Sequence, residues 1–484
     1  MSPIVTPHRP ATKKRSPTRK GSGLAQQTLV EHALCPLDAS QALQAGSLHQ
    51  VRYDFTDRHR NRKTATANVA CPFGLSPNDE LYLYGLLALT FAQPEPSADF
   101  YATPHWCLKQ LGLVDAGQEQ GNRYQLFRDA IRRLAGVVYE SDHFYDPLRG
   151  EHRQVAFGLL KYSLPLDDTS SRAWHFVWDA QWFRFCEAVA GSFTFDFGTY
   201  RQLDVASRRM FLLLSKMFWR NDHSPAFELR QLGVNTLGFA ETLATKEIKQ
   251  KLIRVAQTLL DNEIIALPTG VSTVRELFAK RAKGVHVVQF PRGVYFERVT
   301  QPQATFTADE SPLVEPLEKI GFDRATIRRI IAEFPPRLIA EWSDITLAAV
   351  ERKLIRESPP AYFQHYIRQA KTQKTTPPDW WRELQKQERA KQVDRPQSMV
   401  TGNEQAAFEQ YLHNEARDAF ETVMTRLFQQ LQADGQEESE ARSNADRFAR
   451  MHLSRQFRTD HPEFAGDSSA SLSQLIQQRN DSPH

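Results

Sequence analysis

Basic and amide side chains recur on one side of a predicted amphipathic helix at residues 242–260 of this 484-residue chain. Its apolar positions step by four, three and four residues, at Ile248, Leu252, Val255 and Leu259. The other side carries Lys246, Lys249, Gln250, Arg254 and Gln257, with Thr242 and Thr245 near the start. Lys and Arg bind phosphates, and Arg and Gln can each form two hydrogen bonds to a base edge of duplex DNA. The spacing indicates a duplex-binding surface, although any exposed helix face carries similar residues.

A second basic set lies on a predicted helix at residues 122–134. Its arginines, Arg128, Arg132 and Arg133, lie away from the apolar face, but Asp129 sits among them and would repel phosphate. This helix is therefore interpreted as a weaker backbone contact or as part of a dimerisation surface. Further candidate phosphate contacts lie in predicted hairpins, at Arg149, Lys280, Arg281 and Lys283.

The elements that would position these side chains follow a recognisable order. Predicted helices at residues 79–91, 104–111 and 122–134 precede strands at 137–139 and 154–164, which are joined by a turn at 146–150. Three helices followed by a β-hairpin is the order of a winged helix. Arg149 would then lie in the first wing.

The same order is repeated downstream. Helices are predicted at residues 204–219 and 242–260 with a short element at 227–232 between them, and strands at 264–267 and 285–290. The long linker between those strands contains a basic stretch, residues 274–280, that is predicted to be helical. The pattern therefore predicts two tandem winged-helix domains in a mainly α protein with β-wings, of α+β class.

Five regions follow from these patterns. They are a disordered basic segment at 1–70, a first winged helix at 71–190 for dimerisation and auxiliary DNA contact, a second at 191–300 for DNA recognition, a helical region at 301–395, and an acidic helical or disordered tail at 396–484. Between the winged helices, Trp174, Phe176 and Trp178 alternate along a predicted strand. Core packing is favoured for them over a platform for stacking bases.

Charge is distributed unevenly, although the net charge is only +4. Residues 1–63 contain eleven Lys and Arg against four Asp and Glu, whereas residues 403–446 contain three against ten. A basic end and an acidic end are typical of a protein with a polyanion-binding part and a solvated or partner-binding part.

Several classes of protein are disfavoured. The chain has no membrane-spanning run and no signal sequence, so a cytoplasmic protein without membrane contact is expected. Four widely spaced cysteines predict reduced thiols rather than zinc sites or disulfides. No phosphate-binding loop, H-E-x-x-H motif or paired metal-binding histidines occur. We therefore expect no enzymatic activity, no metal and no cofactor.

The segments GNRYQLFRDAIRRLAGVVY, FDFGTYRQLDVASRRMFLLLSKMFW and TKEIKQKLIRVAQTLLDNEII resemble plasmid replication initiators of the RepA/Rep type. The resemblance implies a protein that binds direct repeats in origin DNA, helps to open the origin, recruits the host initiator and replicative helicase, and represses its own promoter. It also implies a possible homodimer. By that resemblance Lys246, Lys249, Gln250 and Arg254 would read bases, with support from Arg128, Arg132 and Arg133.

Two alternatives remain open from the sequence. A winged-helix transcription regulator would use the same binding residues, and only neighbouring DNA repeats would separate it from an initiator. A helical assembly or adaptor protein would use the C-terminal half, and residues 70–300 would then bind no duplex tightly.

Overall fold

A computed structural model describes residues 21–44, 46–56, 61–114, 121–165, 167, 170–282, 285–297, 306–355, 358–373, 375–397 and 416–433, with single positions or pairs at 408, 411–412, 438, 441–442, 445–446, 449–450, 453 and 457. Within these residues, helices alternate with four small antiparallel sheets. The predicted α+β class is confirmed.

Fifteen labelled elements lie among the described residues up to Gln202. They are β1 (Ser22–Gln26), α1 (Ala39–Ala42), β2 (Ser47–Thr56), β3 (Arg62–Cys71), α2 (Asp79–Phe91), β4 (Asp99–Ala102), α3 (Pro104–Gln110), α4 (Gly121–Gly136), β5 (Val138–Asp146), β6 (Glu151–Gly158), β7 (Leu160–Ser163), β8 (Trp174–Trp178), α5 (Ala180–Glu187), β9 (Ser192–Asp196) and α6 (Phe197–Gln202).

The elements that follow begin with a long helix. They are α7 (Val205–Phe218), β10 (Phe227–Glu228), a π-helical turn (Gln231–Thr236), α8 (Thr245–Asp261), a 3₁₀ turn (Val274–Leu277), β11 (Phe278–Ala282), β12 (Val285–Val288), α9 (Val314–Ile320), α10 (Arg324–Glu333), α11 (Pro336–Glu351), α12 (Pro359–Lys371) and α13 (Asp379–Gln397). The helices predicted at residues 79–91, 104–111, 122–134, 204–219 and 242–260 are present, as are helices after residue 313. The short element predicted at 227–232 is instead β10 followed by the start of the π-helical turn.

The prediction of disorder for residues 1–70 is wrong for residues 21–44, 46–56 and 61–70, whereas residues 1–20 lie outside the described part of the chain. β1 pairs with β9, and β2 pairs with β3 over their whole length. The signal for β2 is the alternation of buried Val51, Tyr53 and Phe55 with exposed or half-buried residues. Two of the four buried residues of β3 are alanines, Ala65 and Ala67, so its alternation is a weak hydrophobic signal.

The hairpin predicted as the first wing forms, as β5 and β6, but it belongs to a different sheet. Its partner is β3, in the order β2-β3-β5-β6. The first wing is instead β7 and β8, which join β4 in the order β4-β8-β7. We call α2, β4, α3, α4, β7 and β8 the first winged unit. Arg149, between β5 and β6, is therefore not a wing residue.

The second winged unit consists of α7, β10, the π-helical turn, α8, β11 and β12. Its sheet has the order β10-β12-β11, the same arrangement as in the first unit. The predicted strand at 264–267 is wrong, because only Ile265 forms an isolated bridge, with Arg292. The strand that forms the wing hairpin with β12 is β11, which includes residues expected to be helical. The insert therefore precedes the wing instead of lying within it.

One continuous hydrophobic core extends through the N-terminal strands and both winged units. Trp174, Phe176 and Trp178 are buried in it, which confirms their interpretation as core residues. All four cysteines are buried, and none forms a disulfide. Arg209 on α7 and Glu80 on α2 form a buried ion pair of 2.8 Å between the two units, so the units are joined by apolar and ionic contacts.

The chain divides into two bodies, residues 1–389 and 390–484. In the first body, α9 to α12 enclose a separate core around Trp342, Ile345 and Phe363. The second body contains a helix, Arg417–Ala433, and a small apolar cluster that includes Tyr411, Leu453 and Phe457. The end of the chain from residue 466, predicted to be disordered, lies outside the described residues.

Candidate nucleic-acid interface

α8 is the third helix of the second winged unit, and its position follows from its apolar side. Ile248, Leu252 and Leu259 are buried against the unit's core. At the start of the helix the Glu247 carboxylate accepts a hydrogen bond of 2.9 Å from the Ala244 backbone N–H, which satisfies a donor that a helix N-terminus otherwise leaves unpaired. The helix is therefore fixed with its polar side facing outward.

That polar side is basic and open to solvent. Lys246, Gln250 and Arg254 are exposed, and Thr245 is half-buried at the first turn. None of the side chains of Lys246, Gln250 and Arg254 forms an ion pair or hydrogen bond with a residue that the structure describes. Gln257, in contrast, donates a hydrogen bond of 2.8 Å to Asp261. The N-terminal and central turns of α8 are thus the part with uncommitted donors.

The wing lies beside this helix. The ammonium of Lys249 is 5.9 Å from the ring centroid of Phe278, the first residue of β11. Farther along β11, Lys280 and Arg281 are exposed, and a register shift interrupts the pairing with β12 between Lys280 and Ala282. Lys283 lies outside the described residues. We call Lys246, Lys249, Gln250, Arg254, Lys280 and Arg281 the recognition surface.

The segment before α8 is held by an arginine. The Arg230 guanidinium donates to the backbone carbonyl of Leu243 at 3.2 Å and also to that of Glu241. Both carbonyls belong to the connection that leads into α8. Arg230 directly precedes the π-helical turn. Its contact with the connection therefore fixes the angle between that turn and α8, the second and third helices of the unit.

The arginines of α4 in the first winged unit are placed differently. Arg133 donates two hydrogen bonds of 2.7 Å to the buried carboxylate of Asp79 on α2. Burial raises the pKa of Asp79, and the bonds from Arg133 oppose that rise. Arg132 lies 4.8 Å from the Phe73 ring, and Arg128 lies 5.5 Å from the Trp174 ring. All three guanidinium groups therefore contact the protein itself.

The remaining predicted DNA contact in the first half of the chain, Arg149, also lies near a carboxylate. Arg149 is 3.8 Å from the carboxylate of Asp146, which Arg153 approaches to 3.3 Å. The recognition surface thus contains six of the twelve predicted DNA-binding residues, with Thr245 at its edge. The structure does not bring Arg128, Arg132, Arg133 and Arg149 to it.

The wing connection of the first unit is covered by the C-terminal helices. Arg172, between β7 and β8, donates to Asp344 on α11 at 2.7 and 2.9 Å and to Glu388 on α13 at 2.6 and 3.2 Å. The Trp381 indole also donates to Asp344, at 2.7 Å. The two winged units therefore differ, since only the second presents an uncovered basic wing among the described residues.

No cluster of three His, Cys, Asp or Glu side chains among the described residues could hold a metal ion. No described helix has both the length and the apolar composition that crossing a bilayer requires.

Comparison with known proteins gives a weak structural similarity. No family model and no curated protein sequence matches this chain. A crystal structure of selenomethionine derivatives of domains 2 and 3 of RctB is similar with a TM-score of 0.36 and 13% sequence identity. The similarity covers 55% of this chain and 96% of that chain. A likeness of this size does not define a site, so the function of this chain is inferred from its own residues.

Sequence patterns missed several residues that shape the interface. Arg172, Arg209 and Arg230 have no sequence signal that separates them from exposed arginines, because their partners are distant in the chain. Arg52, on β2, was assigned to a disordered segment. The alternation of Val51, Tyr53 and Phe55 was the signal that could have placed it on a strand.

Proposed function

We propose that this chain binds double-stranded DNA in a sequence-specific manner through the recognition surface, and that it is not an enzyme. The observation that carries the proposal is the uncommitted basic side of α8 beside a basic wing. A third helix of such a unit enters the major groove, with its N-terminal residues at the base edges. Gln250 and Arg254 would read bases, and Lys246, Lys280 and Arg281 would bind phosphates.

The test replaces two cations of α8, in the variant Lys249→Ala with Arg254→Ala. We expect loss of specific binding, and a slope of log K against log salt that falls by less than about 0.9 per removed cation, because the resemblance assigns both side chains to base edges rather than to phosphates. The measurements are a footprint and a salt titration with purified protein. A folded double variant with the wild-type footprint would contradict this site.

The matched control removes the same charge elsewhere. Lys319 and Arg329 are exposed on α9 and α10 and have no ion pair among the described residues. Lys319→Ala with Arg329→Ala should keep the footprint and the salt slope. A loss equal to that of the α8 variant would indicate a net-charge effect rather than a located interface.

We further propose that the DNA is an array of direct repeats in a replication origin. The support is the resemblance of the α4, α7 and α8 segments to plasmid initiators. Footprinting on the DNA that flanks the gene tests this proposal. Protection of regularly spaced direct repeats beside an AT-rich stretch is expected, whereas protection of a single promoter operator would favour a transcription regulator.

A further inference from the structure

β2 and β3 continue as a two-stranded ribbon past the residues at which β3 pairs with β5. β2 pairs with β3 from Ser47 and Cys71 to Thr56 and Arg62, but β3 pairs with β5 only at residues 67–70. Beyond this pairing the attachment is made through side chains, between the Thr66 N–H and Asp142 at 2.8 Å, between the Tyr53 hydroxyl and both Ser141 and the His143 carbonyl, and between the Phe55 ring and both His143 and His152. The described residues 52–56 and 61–66, which we call the ribbon, therefore have strand pairing only with each other.

The ribbon is attached to the second winged unit through backbone groups. The Gln231 side-chain amide donates a hydrogen bond of 2.9 Å to the carbonyl of Arg52, and the Arg52 N–H donates one of 3.4 Å to the Asn235 side chain. The Asn235 amide in turn donates to Gln231 at 2.6 Å. These two side chains of the π-helical turn occupy the edge of β2 at this point, so the ribbon and the turn are held together.

The point of attachment lies next to the start of α8. Gln231 follows Arg230, whose guanidinium binds the carbonyls of Glu241 and Leu243 just before the helix. The wing reaches α8 separately, through Phe278 and Lys249. Two β-ribbons are thus joined to the unit that carries the recognition surface.

The ribbon carries an excess of positive charge. Arg52, Arg62 and Lys63 are exposed, and Asp54 is the one carboxylate among the ribbon residues that the structure describes. Arg62 is bonded to Asp54, at 2.6 and 3.2 Å, and its side chain is still 70% exposed. A net positive ribbon beside a DNA-reading helix has the chemistry that binds backbone phosphates.

We propose that the ribbon is an additional duplex contact, which binds phosphates next to the base pairs read by α8. This inference rests on the proposed function. It predicts a footprint with three parts, from the wing, α8 and the ribbon. Phosphate contacts position a protein without reading sequence, so the ribbon contributes affinity and salt dependence and leaves the preference between DNA sites unchanged.

The variant that tests it is Arg52→Gln with Lys63→Gln. The bonds from Arg52 to the π-helical turn use its backbone, so they survive the substitution. We expect a salt slope smaller by about 2, the loss of contacts to phosphates on one flank in an ethylation-interference experiment, and an unchanged ranking of DNA sites. The control Lys319→Ala with Arg329→Ala should behave as wild type.

A second measurement uses wild-type protein and needs no variant. Trimming the duplex from the flank assigned to the ribbon should weaken binding and lower the salt slope by the same amount as the double variant does. Trimming an equal length from the other flank, in DNA that lies beyond the wing contacts, should change neither quantity. Interference and trimming must identify the same flank.

The outcomes separate the two proposals. If wild-type protein gives a specific footprint and Arg52→Gln with Lys63→Gln matches it in slope and in contacted phosphates, the ribbon proposal is overturned and the α8 interface stands. If wild-type protein gives no specific footprint on any duplex, both proposals fail. An equal loss in the control variant would also overturn the ribbon, because the effect would follow net charge.

Discussion

Arginine residues that look alike in the sequence have different environments in the fold. Arg133, Arg172 and Arg209 are paired with carboxylates that are themselves largely buried, whereas Arg254 and Arg281 are exposed and have no ion pair among the described residues. A guanidinium that is already bonded bidentately has few donors left for phosphate. The fold thereby removes Arg133, Arg172 and Arg209 from the cations that DNA could bind.

A buried histidine near the ribbon's base is held neutral. Nδ1 of His32 is 3.3 Å from the Ala33 carbonyl and Nε2 is 2.9 Å from the Tyr139 hydroxyl. A carbonyl only accepts, so Nδ1 carries the proton and Nε2 accepts from Tyr139. Burial lowers the pKa of His32 to about 4 and that of His49 to about 3.

These lowered pKa values predict acid destabilisation. Between pH 6.5 and 4 the unfolded chain protonates His32 and the folded chain does not, so the free energy of unfolding falls by about 3 kcal/mol from this group alone. Urea unfolding measured from pH 7.5 to 4 checks the fall. His32→Gln should remove this part of the slope and leave the part from His49, and His32→Gln with His49→Gln should remove both. A wild-type slope in both variants would show that neither imidazole controls it.

At the scale of elements, close packing sets the position of α8 against the π-helical turn. A Cβ atom added to Gly233 in the turn would lie 2.6 Å from Cγ2 of Ile248 on α8 and 3.1 Å from the Phe239 ring. Neither neighbour can move freely, because both are buried in the core. The absence of a side chain at Gly233 is therefore a condition for the observed approach of the two helices.

Gly233→Ala should consequently overpack this contact. We expect a loss of about 1–3 kcal/mol in the free energy of unfolding and weaker DNA binding, since α8 must shift. Denaturant unfolding and a binding titration measure the two effects. The control is Gly158→Ala, where an added Cβ would lie no nearer than 3.6 Å, to the Val137 carbonyl. Equal stability of the two variants would be evidence against this packing argument.

At the scale of the molecule, two buried arginines connect parts that the sequence presents as separate regions. Arg209 joins the first helices of the two winged units through Glu80. Arg172 joins the first wing to α11 and α13 through Asp344 and Glu388. In the described part of residues 21–389, the two winged units and the C-terminal helices are therefore joined by buried ion pairs and are not independent domains.

Replacing Arg172 by Met should separate the C-terminal helices from the first winged unit. The variant leaves Asp344 and the buried Glu388 without their cation, and breaking a buried pair costs about 3–5 kcal/mol. Denaturant unfolding measures the loss, and hydrogen exchange should rise first in α11 and α13. Neutralising both carboxylates as well, with Asp344→Asn and Glu388→Gln, should recover part of the stability.

A surface pair provides the comparison for that prediction. Arg328 and Asp309 are as well aligned, at 2.6 and 2.7 Å, but lie in solvent. Arg328→Ala should change the free energy of unfolding little, because exposed pairs are screened. If Arg172→Met behaved like Arg328→Ala, the contact with the C-terminal helices would not be important for stability.

The sequence by itself determined the long helices of both winged units, the α+β class and the basic side of α8. A helix repeats every 3.6 residues, so its buried and exposed faces are both written in a window of about 15 residues. The positions of Ile248, Leu252 and Leu259 sufficed to predict which side of α8 would be buried. The same reasoning placed α2, α4 and α7 within a few residues of their observed ends.

Only the tertiary structure decided which hairpin is a wing and which cations remain available. β5 was recognisable as a strand, but its pairing with β3 joins residues about 70 positions apart, and a local pattern contains no information on such a partner. The same holds for Arg133 and Arg172, whose carboxylates are 54 and 172 or more residues away. Strand partners and ion pairs are chosen by the whole fold, because each depends on groups that become neighbours only when the chain has folded.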